Sequence, residues 1–138
     1  MGSVRVVYDT NVLISALGWG GNPDQCVRRA LDGDVALFVS PDLLNELARV
    51  MEYPRFEFTD REKGAFFAAI ISGSSVVNPN ETIHEIQPDP DDDIVLECAV
   101  AADTTYIVSG DDHLRSLEQF RAIRILSPAD FIDEIDCH

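Results

Sequence analysis

Apolar positions along the chain fall into short β-branched runs separated by stretches of helical period. Val4 to Tyr8 predicts a buried strand and Val35 to Ser40 a second. Ser75 to Val77 predicts a short third, Tyr106 to Ser109 a fourth and Ile123 to Leu126 a last. Between them lie helices. Asn11 to Leu17 predicts a short one, closed by Gly18-Trp19-Gly20-Gly21. Asn22-Pro23 predicts an N-cap with proline at the first helical position, and the helix that follows carries Cys26, Val27, Ala30 and Leu31 on one face and ends at Gly33. Ser40-Pro41 starts another helix, which Pro54 ends. Thr59 and Glu62 have the spacing of a capping box for a helix through about Ser72. Residues 78 to 93 read as irregular, with Asn78-Pro79 at one end and Pro88-Asp89-Pro90 near the other. A helix is expected from about Asp91 to Asp103, a short one from about Asp111, and a terminal one capped by Ser127-Pro128.

Strands separated by helices of this length imply right-handed crossovers and a parallel sheet covered on both faces. The expected fold is α/β, a three-layer α/β/α sandwich with a central parallel sheet. The length of 138 residues suits a single domain over residues 1–138 with a sizeable core. No apolar run approaches the roughly 20 residues of a membrane span. The three cysteines, Cys26, Cys98 and Cys137, are scattered without CxxC spacing. That argues against a disulfide framework or a cysteine zinc site and fits a reducing, cytoplasmic location.

Charge changes the picture. The chain carries 25 acids against 10 bases, a net charge of −15, and Lys63 is its only lysine. Such a field repels nucleic acid and membrane surfaces at long range. The excess fits a salt-adapted or GC-rich source, or a cluster of acids that holds a divalent metal, and the two are not exclusive.

Ligands of open parallel sheets bind beyond the carboxyl ends of the strands, so the acids at those ends are candidates. Asp9 follows the first strand directly and Asp111 follows the fourth, after Gly110. At about 100° per residue, Glu46 falls at the edge of the apolar arc of its helix, beside Val50. Asp92 shares a stripe with Val95, Leu96 and Ala99 and so sits in the first turn of an otherwise buried face. Carboxylates gathered within about 4–6 Å raise one another's pKa, and a bound cation reverses that penalty. All-oxygen ligands favour Mg²⁺ or Mn²⁺ over zinc or copper. Such ions activate water and neutralise a phosphodiester. Taken singly, each acid reads equally well as a helix cap or a surface residue; only their common placement at the carboxyl side of the sheet points to a site.

The same residues resemble a known family. Val6 to Leu17, with Tyr8-Asp9-Thr10-Asn11 at its centre, is similar to the opening signature of PIN-domain nucleases. Leu44-Asn45-Glu46-Leu47 resembles their helix-borne glutamate, Asp89 to Ala99 their third acidic motif, and Tyr106 to Leu114, with Ser109-Gly110-Asp111, their final motif. The match covers nearly the whole chain in the right order and is nearest to the toxin-type branch, the toxin half of toxin–antitoxin pairs. The resemblance implies a Mg²⁺- or Mn²⁺-dependent endoribonuclease that dimerises and is held by a small antitoxin. It implies Asp9, Glu46, Asp92 and Asp111 as the catalytic, metal-holding tetrad, with Thr10, Asn11 and Ser109 orienting carboxylates or waters. Many relatives carry a further acid two residues after the Asp111 position, where this chain has His113; either Asp112 substitutes for it or the second metal binds weakly, and His113 caps the helix or meets a phosphate.

RNA contact is expected of Arg49 and Arg115, one turn beyond Glu46 and Asp111, with Arg55 a further candidate. Arg28 and Arg29 read as surface ion pairs, and Trp19 as core cover rather than a base-stacking platform. The helix with Phe66, Phe67, Ile70 and Ile71 carries apolar surface enough for a dimer interface. Two rival readings stand beside the nuclease. One is a non-catalytic PIN fold that binds RNA or protein. The other is a haloacid-dehalogenase-type phosphatase, which wants an acid at Asn11 and a lysine near the site.

Overall fold

Tyr8 lies directly opposite Val108 in neighbouring parallel strands, and everything at the candidate site follows from that register. The computed structural model describes residues 4–83 and 90–137, with the side chains of Pro90 and Asp91 excepted. His84, Asp89 and the rest of 84–89 lie outside it, so the expected irregular segment is described only in part, and residues 78–83 form no helix or strand.

Six strands form one sheet: β1 (Val4–Tyr8), β2 (Val35–Val39), β3 (Ser74–Val76), β4 (Tyr106–Val108), β5 (Gln119–Phe120) and β6 (Ile123–Leu126). Their order is β3-β2-β1-β4-β6-β5. Five strands run parallel, as the crossovers require. β5 corrects the all-parallel expectation: Glu118 and Arg121 adopt positive φ of 59° and 56° on either side of it and turn it antiparallel onto β6. With only two residues, it leaves no periodic signal to read. The helices are α1 (Thr10–Gly18), α2 (Gly21–Leu31), α3 (Pro41–Met51), α4 (Asp60–Ser72), α5 (Pro90–Ala101), α6 (Asp112–Arg115) and α7 (Pro128–Asp136), with a 3₁₀ turn at Pro54–Phe56.

Strand alternation divides the core into two layers. Val6, Tyr8, Leu37, Val39 and Val108 face one side, where α1, α2 and α7 pack with Cys26, Val27 and Phe131. Val7, Phe38, Ile107 and Ile125 face the other, covered by Val95, Leu96 and Ala99 of α5 and Leu114 of α6. This is the three-layer α/β/α arrangement. Phe131 locks α7 by setting its ring edge-on to Tyr8 and Tyr106, at 6.0 and 5.6 Å. Leu47 of α3 is wholly buried, so truncating it to alanine costs about 2–5 kcal/mol.

Local signals hold at most helix starts. Ser40, Thr59 and Ser127 cap α3, α4 and α7, and Thr59–Glu62 makes the full capping box. Asn22 is not a cap, however. α2 begins at Gly21, because Gly20 and Gly21, at φ of 75° and 69°, turn the chain in the left-handed region before Asn22 is reached. Trp19 therefore ends α1 pointing outward; it is 71% exposed and does not cover the core. In α4, Ile70 is buried and Phe66 and Phe67 pack on the core, which absorbs most of the apolar surface assigned to a dimer contact and leaves Ile71 outside. Among the described residues, no helix is long and apolar enough to cross a membrane.

Candidate active site

From β1 the chain crosses outward to β2 and β3, then returns to the other side of β1 with β4 and β6. The carboxyl ends of β1 and β4 therefore flank the point where the winding reverses, the one place where helices on the two sides leave a crevice. Asp9 and Ser109 are the next residues beyond those ends, and the Asp9 amide donates to the Val108 carbonyl at 3.1 Å.

A cleft of about 130 Å³ opens there, lined by Asp9, Thr10, Asn11, Glu46, Val50, Asp92, Val95 and Asp111. The four acids singled out in the sequence thus reach one cavity from four separate elements. Asp9 caps α1: its Oδ1 accepts from the Val12 amide at 2.9 Å, while its Oδ2 accepts from the Ser109 hydroxyl. Ser109 Oγ in turn accepts from the Asp111 amide at 2.9 Å. With that lone pair engaged, the hydroxyl proton is committed to Asp9. Asp111 caps the short α6 through its Oδ1, which accepts from the amides of His113 at 2.7 Å and Leu114 at 3.3 Å. The bland reading, a helix cap, is therefore true of Asp9 and Asp111, and each still faces the cleft.

Glu46 arrives from α3, with its side chain 11% exposed. Its Oε1 accepts from the Thr10 hydroxyl, and its Oε2 lies 3.7 Å from Arg49 Nη2. Asp92, in the first turn of α5, is buried. Its neighbour Asp93 is buried as well but does not line the cleft, which the run of acids in the sequence could not distinguish.

Burial costs these carboxylates. Asp9 is pushed up to about 6, chiefly by removal from water and further by the negative Asp111, against the opposing hydrogen bonds from Ser109 and Val12. A cation is the natural compensation, and the donor set suits one. Carboxylate oxygens of Asp92 and Asp111 and a ring nitrogen of His113 lie within 4.8 Å of one another. The two carboxylate oxygens suit Mg²⁺ or Mn²⁺, whereas an imidazole nitrogen beside them favours a transition metal.

His113, expected to cap the helix or meet a phosphate, comes within reach of the Asp92–Asp111 pair. Its Nδ1 lies 3.6 Å from Asp111 Oδ1; both His113 and Asp112 are exposed at the start of α6, and neither lines the cleft. The turn made by the Asp111 cap decides between the two neighbours, and spacing alone carries no sign of it.

Of the arginines, Arg49 does reach the rim, in a shallow groove with Asn45 and Glu46. Arg115 does not line the cleft; it lines a separate groove with Arg124, Ser127 and Asp130, because α6 is too short to carry it back toward Asp111. Arg28 pairs with Asp24 at 2.7 Å and Arg29 with Asp136 at 2.7 Å, the expected surface ion pairs.

Comparison with known proteins agrees with this layout. A family model described as PIN domain matches residues 5–113. An uncharacterized protein of Methanocaldococcus jannaschii is 27% identical over 145 residues, covering 96% of this chain and 92% of its own. Among solved structures, VapBC2 from Rickettsia felis, determined bound to a DNA fragment from its promoter, superposes with a TM-score of 0.61 at 9% identity, over 88% of this chain and 97% of that one. A protein from Pyrobaculum aerophilum superposes with a TM-score of 0.62 at 11% identity, over 100% and 94%. At such identities the two structures show the shared fold.

Proposed function

Since the chain belongs to the PIN-domain family, we propose that it is a metal-dependent endoribonuclease and the toxin half of a toxin–antitoxin pair. The observation that carries the reading is the convergence of Asp9, Glu46, Asp92 and Asp111 on one cleft at the reversal point of the sheet. Nothing in packing requires four acids from four elements to share a cavity, and their mutual repulsion opposes it.

Asp92, Asp111 and His113 are the residues placed to hold a divalent ion, Mg²⁺ or Mn²⁺. Such an ion supplies Lewis-acid polarisation of the phosphate and a water of lowered pKa. The chain's own groups do the positioning. The Ser109 hydroxyl donates to the Asp9 carboxylate and its oxygen accepts from the Asp111 backbone amide, which ties Asp9 to the backbone that carries Asp111. Thr10 holds Glu46 in the same way from the first turn of α1. Asp9 and Glu46 then face the cleft as groups able to orient an attacking water and take its proton. Arg49 at the rim is placed to meet a phosphate, though its pairing with Glu46 must loosen for it to do so.

The neighbouring VapBC2 structure and the toxin-type signature support a small antitoxin partner. For a homodimer, Leu31, Ile71 and Val76 offer exposed apolar surface near edge strand β3, with Leu31 close to Gly73 just before it.

The test is cleavage of labelled single-stranded RNA in Mn²⁺ by wild type and Asp92→Asn side by side. Wild type should cut, EDTA should stop it, and the folded variant should be inactive. Equal cutting by both would place the activity elsewhere. Metal binding without any cutting would favour the non-catalytic PIN reading.

A further inference from the structure

Beside the acidic cleft lies a second groove of about 390 Å³, and Asn11 lines both. Its walls include Ile14, Trp19, Arg55, Phe56 and Pro128. Three features set it apart. First, it contains no carboxylate, whereas four other concavities on the described surface each hold at least one. In a chain with 25 acids, that absence is not the expected outcome.

Second, the groove presents an open aromatic face on a rigid mount. Trp19 is 71% exposed, with its ring edge-on to Phe56 at 5.9 Å. Phe56 is itself stacked between Tyr53 and Phe58, at 6.3 and 5.4 Å with planes within 6° of parallel. Leaving so large an apolar ring in water is unfavourable unless something covers it.

Third, the groove holds a cation with no acid to neutralise it. Arg28, Arg29, Arg49, Arg121 and Arg124 each pair with a carboxylate, and of the arginines that do not among the described residues, Arg55 is the one that lines this groove. Arg55 makes no ion pair among the described residues; its guanidinium lies 4.9 Å from the Phe56 ring centre and 5.6 Å from that of Tyr53.

An exposed indole for a π-face and an unneutralised guanidinium for an anion together match one chemical unit, a nucleotide. We propose that this groove is a base-stacking subsite for single-stranded RNA. The base next to the scissile phosphate rests on Trp19, and Arg55 meets a flanking phosphate. The proposal rests on the nuclease reading above and supplies what the −15 net charge otherwise withholds, a local attraction for substrate.

Trp19 is the chain's single tryptophan, so it reports on itself. The first experiment titrates wild-type protein in EDTA with hexauridylate and follows tryptophan emission. Stacking should quench it. The second measures cleavage in Mn²⁺ by Trp19→Ala, Trp19→Phe and Arg55→Gln. Trp19→Ala should raise KM roughly tenfold, with the loss in KM rather than kcat, and Trp19→Phe should recover most of it. Arg55→Gln should also raise KM and reduce the salt dependence of binding by about one phosphate contact. If wild type cuts RNA while emission stays unchanged and all three variants keep the wild-type KM, the subsite is overturned and the nuclease reading stands; a protein segment then becomes the occupant to pursue. If wild type neither binds the RNA in EDTA nor cuts it in Mn²⁺, both readings fall together.

Discussion

Replacing Asp9 by asparagine should stabilise the metal-free protein at neutral pH, even though it removes a group placed in the active site. The carboxyl of Asp9 is wholly buried and pushed up from 3.8 to about 6. Because the folded state holds this proton more tightly than the unfolded chain, the contribution is complete below pH 4. It is lost as pH rises through about 6. At 1.36 kcal/mol per pKa unit, the deficit at pH 7.5 is about 3 kcal/mol. Asparagine has the same shape and carries no charge. Its oxygen can accept from Val12 and its amide can donate to Ser109, whose own proton then loses its acceptor and offsets part of the gain, about 1 kcal/mol. Thermal unfolding in EDTA should therefore show Asp9→Asn melting up to roughly 10 °C above wild type at pH 7.5, with the gap closing toward pH 4. Repulsion among the other acids is common to both proteins and cancels in the difference. Adding Mn²⁺ should narrow the gap, since an ion held only by wild type would favour it by at most about 2.7 kcal/mol at a hundredfold excess over its Kd. A variant less stable than wild type at pH 7.5 in EDTA, or a gap of the same size at both pH values, would refute the reasoning.

Ser109→Ala should remove the Asp9 donor and leave the Asp111 amide without its acceptor, costing about 1–3 kcal/mol in a denaturant melt. Thr10→Val keeps the side-chain shape but frees Glu46; cleavage should fall several-fold with the melting temperature little changed. His113→Ala should weaken Mn²⁺ binding about tenfold or more in a titration and abolish nitrogen hyperfine coupling in the spectrum of bound Mn²⁺; coupling that survives would remove His113 from the ligand set. Thr59→Ala, remote from the cleft, should cost about 1 kcal/mol of stability through loss of the α4 capping box and leave cleavage at the wild-type rate.

What could be read from residues alone was whatever depends on near neighbours in the chain. The β-branched runs mark β1, β2, β4 and β6, since burial in a parallel sheet favours apolar side chains, and Ser75 to Val77 marks the more exposed β3 to within a residue. Ser40, Thr59 and Ser127 mark helix starts because a cap is a contact across three residues. Asp9 and Asp111 were legible as strand-end acids, and Asp92 as the acid in an apolar stripe. Matters that depend on distant parts of the chain were not legible. Only the order of the strands gathers Asp9, Glu46, Asp92 and Asp111 into one cleft, because 102 residues separate the first from the last and no local preference spans that distance. The turn at Asp111 selects His113 over Asp112. The two glycines after Trp19 send its ring outward rather than into the core, and packing of the distant 3₁₀ turn sets Phe56 and Arg55 beside it. Local patterns carry most elements and the chemistry available to them; which groups meet depends on register and handedness, which are properties of the whole sheet.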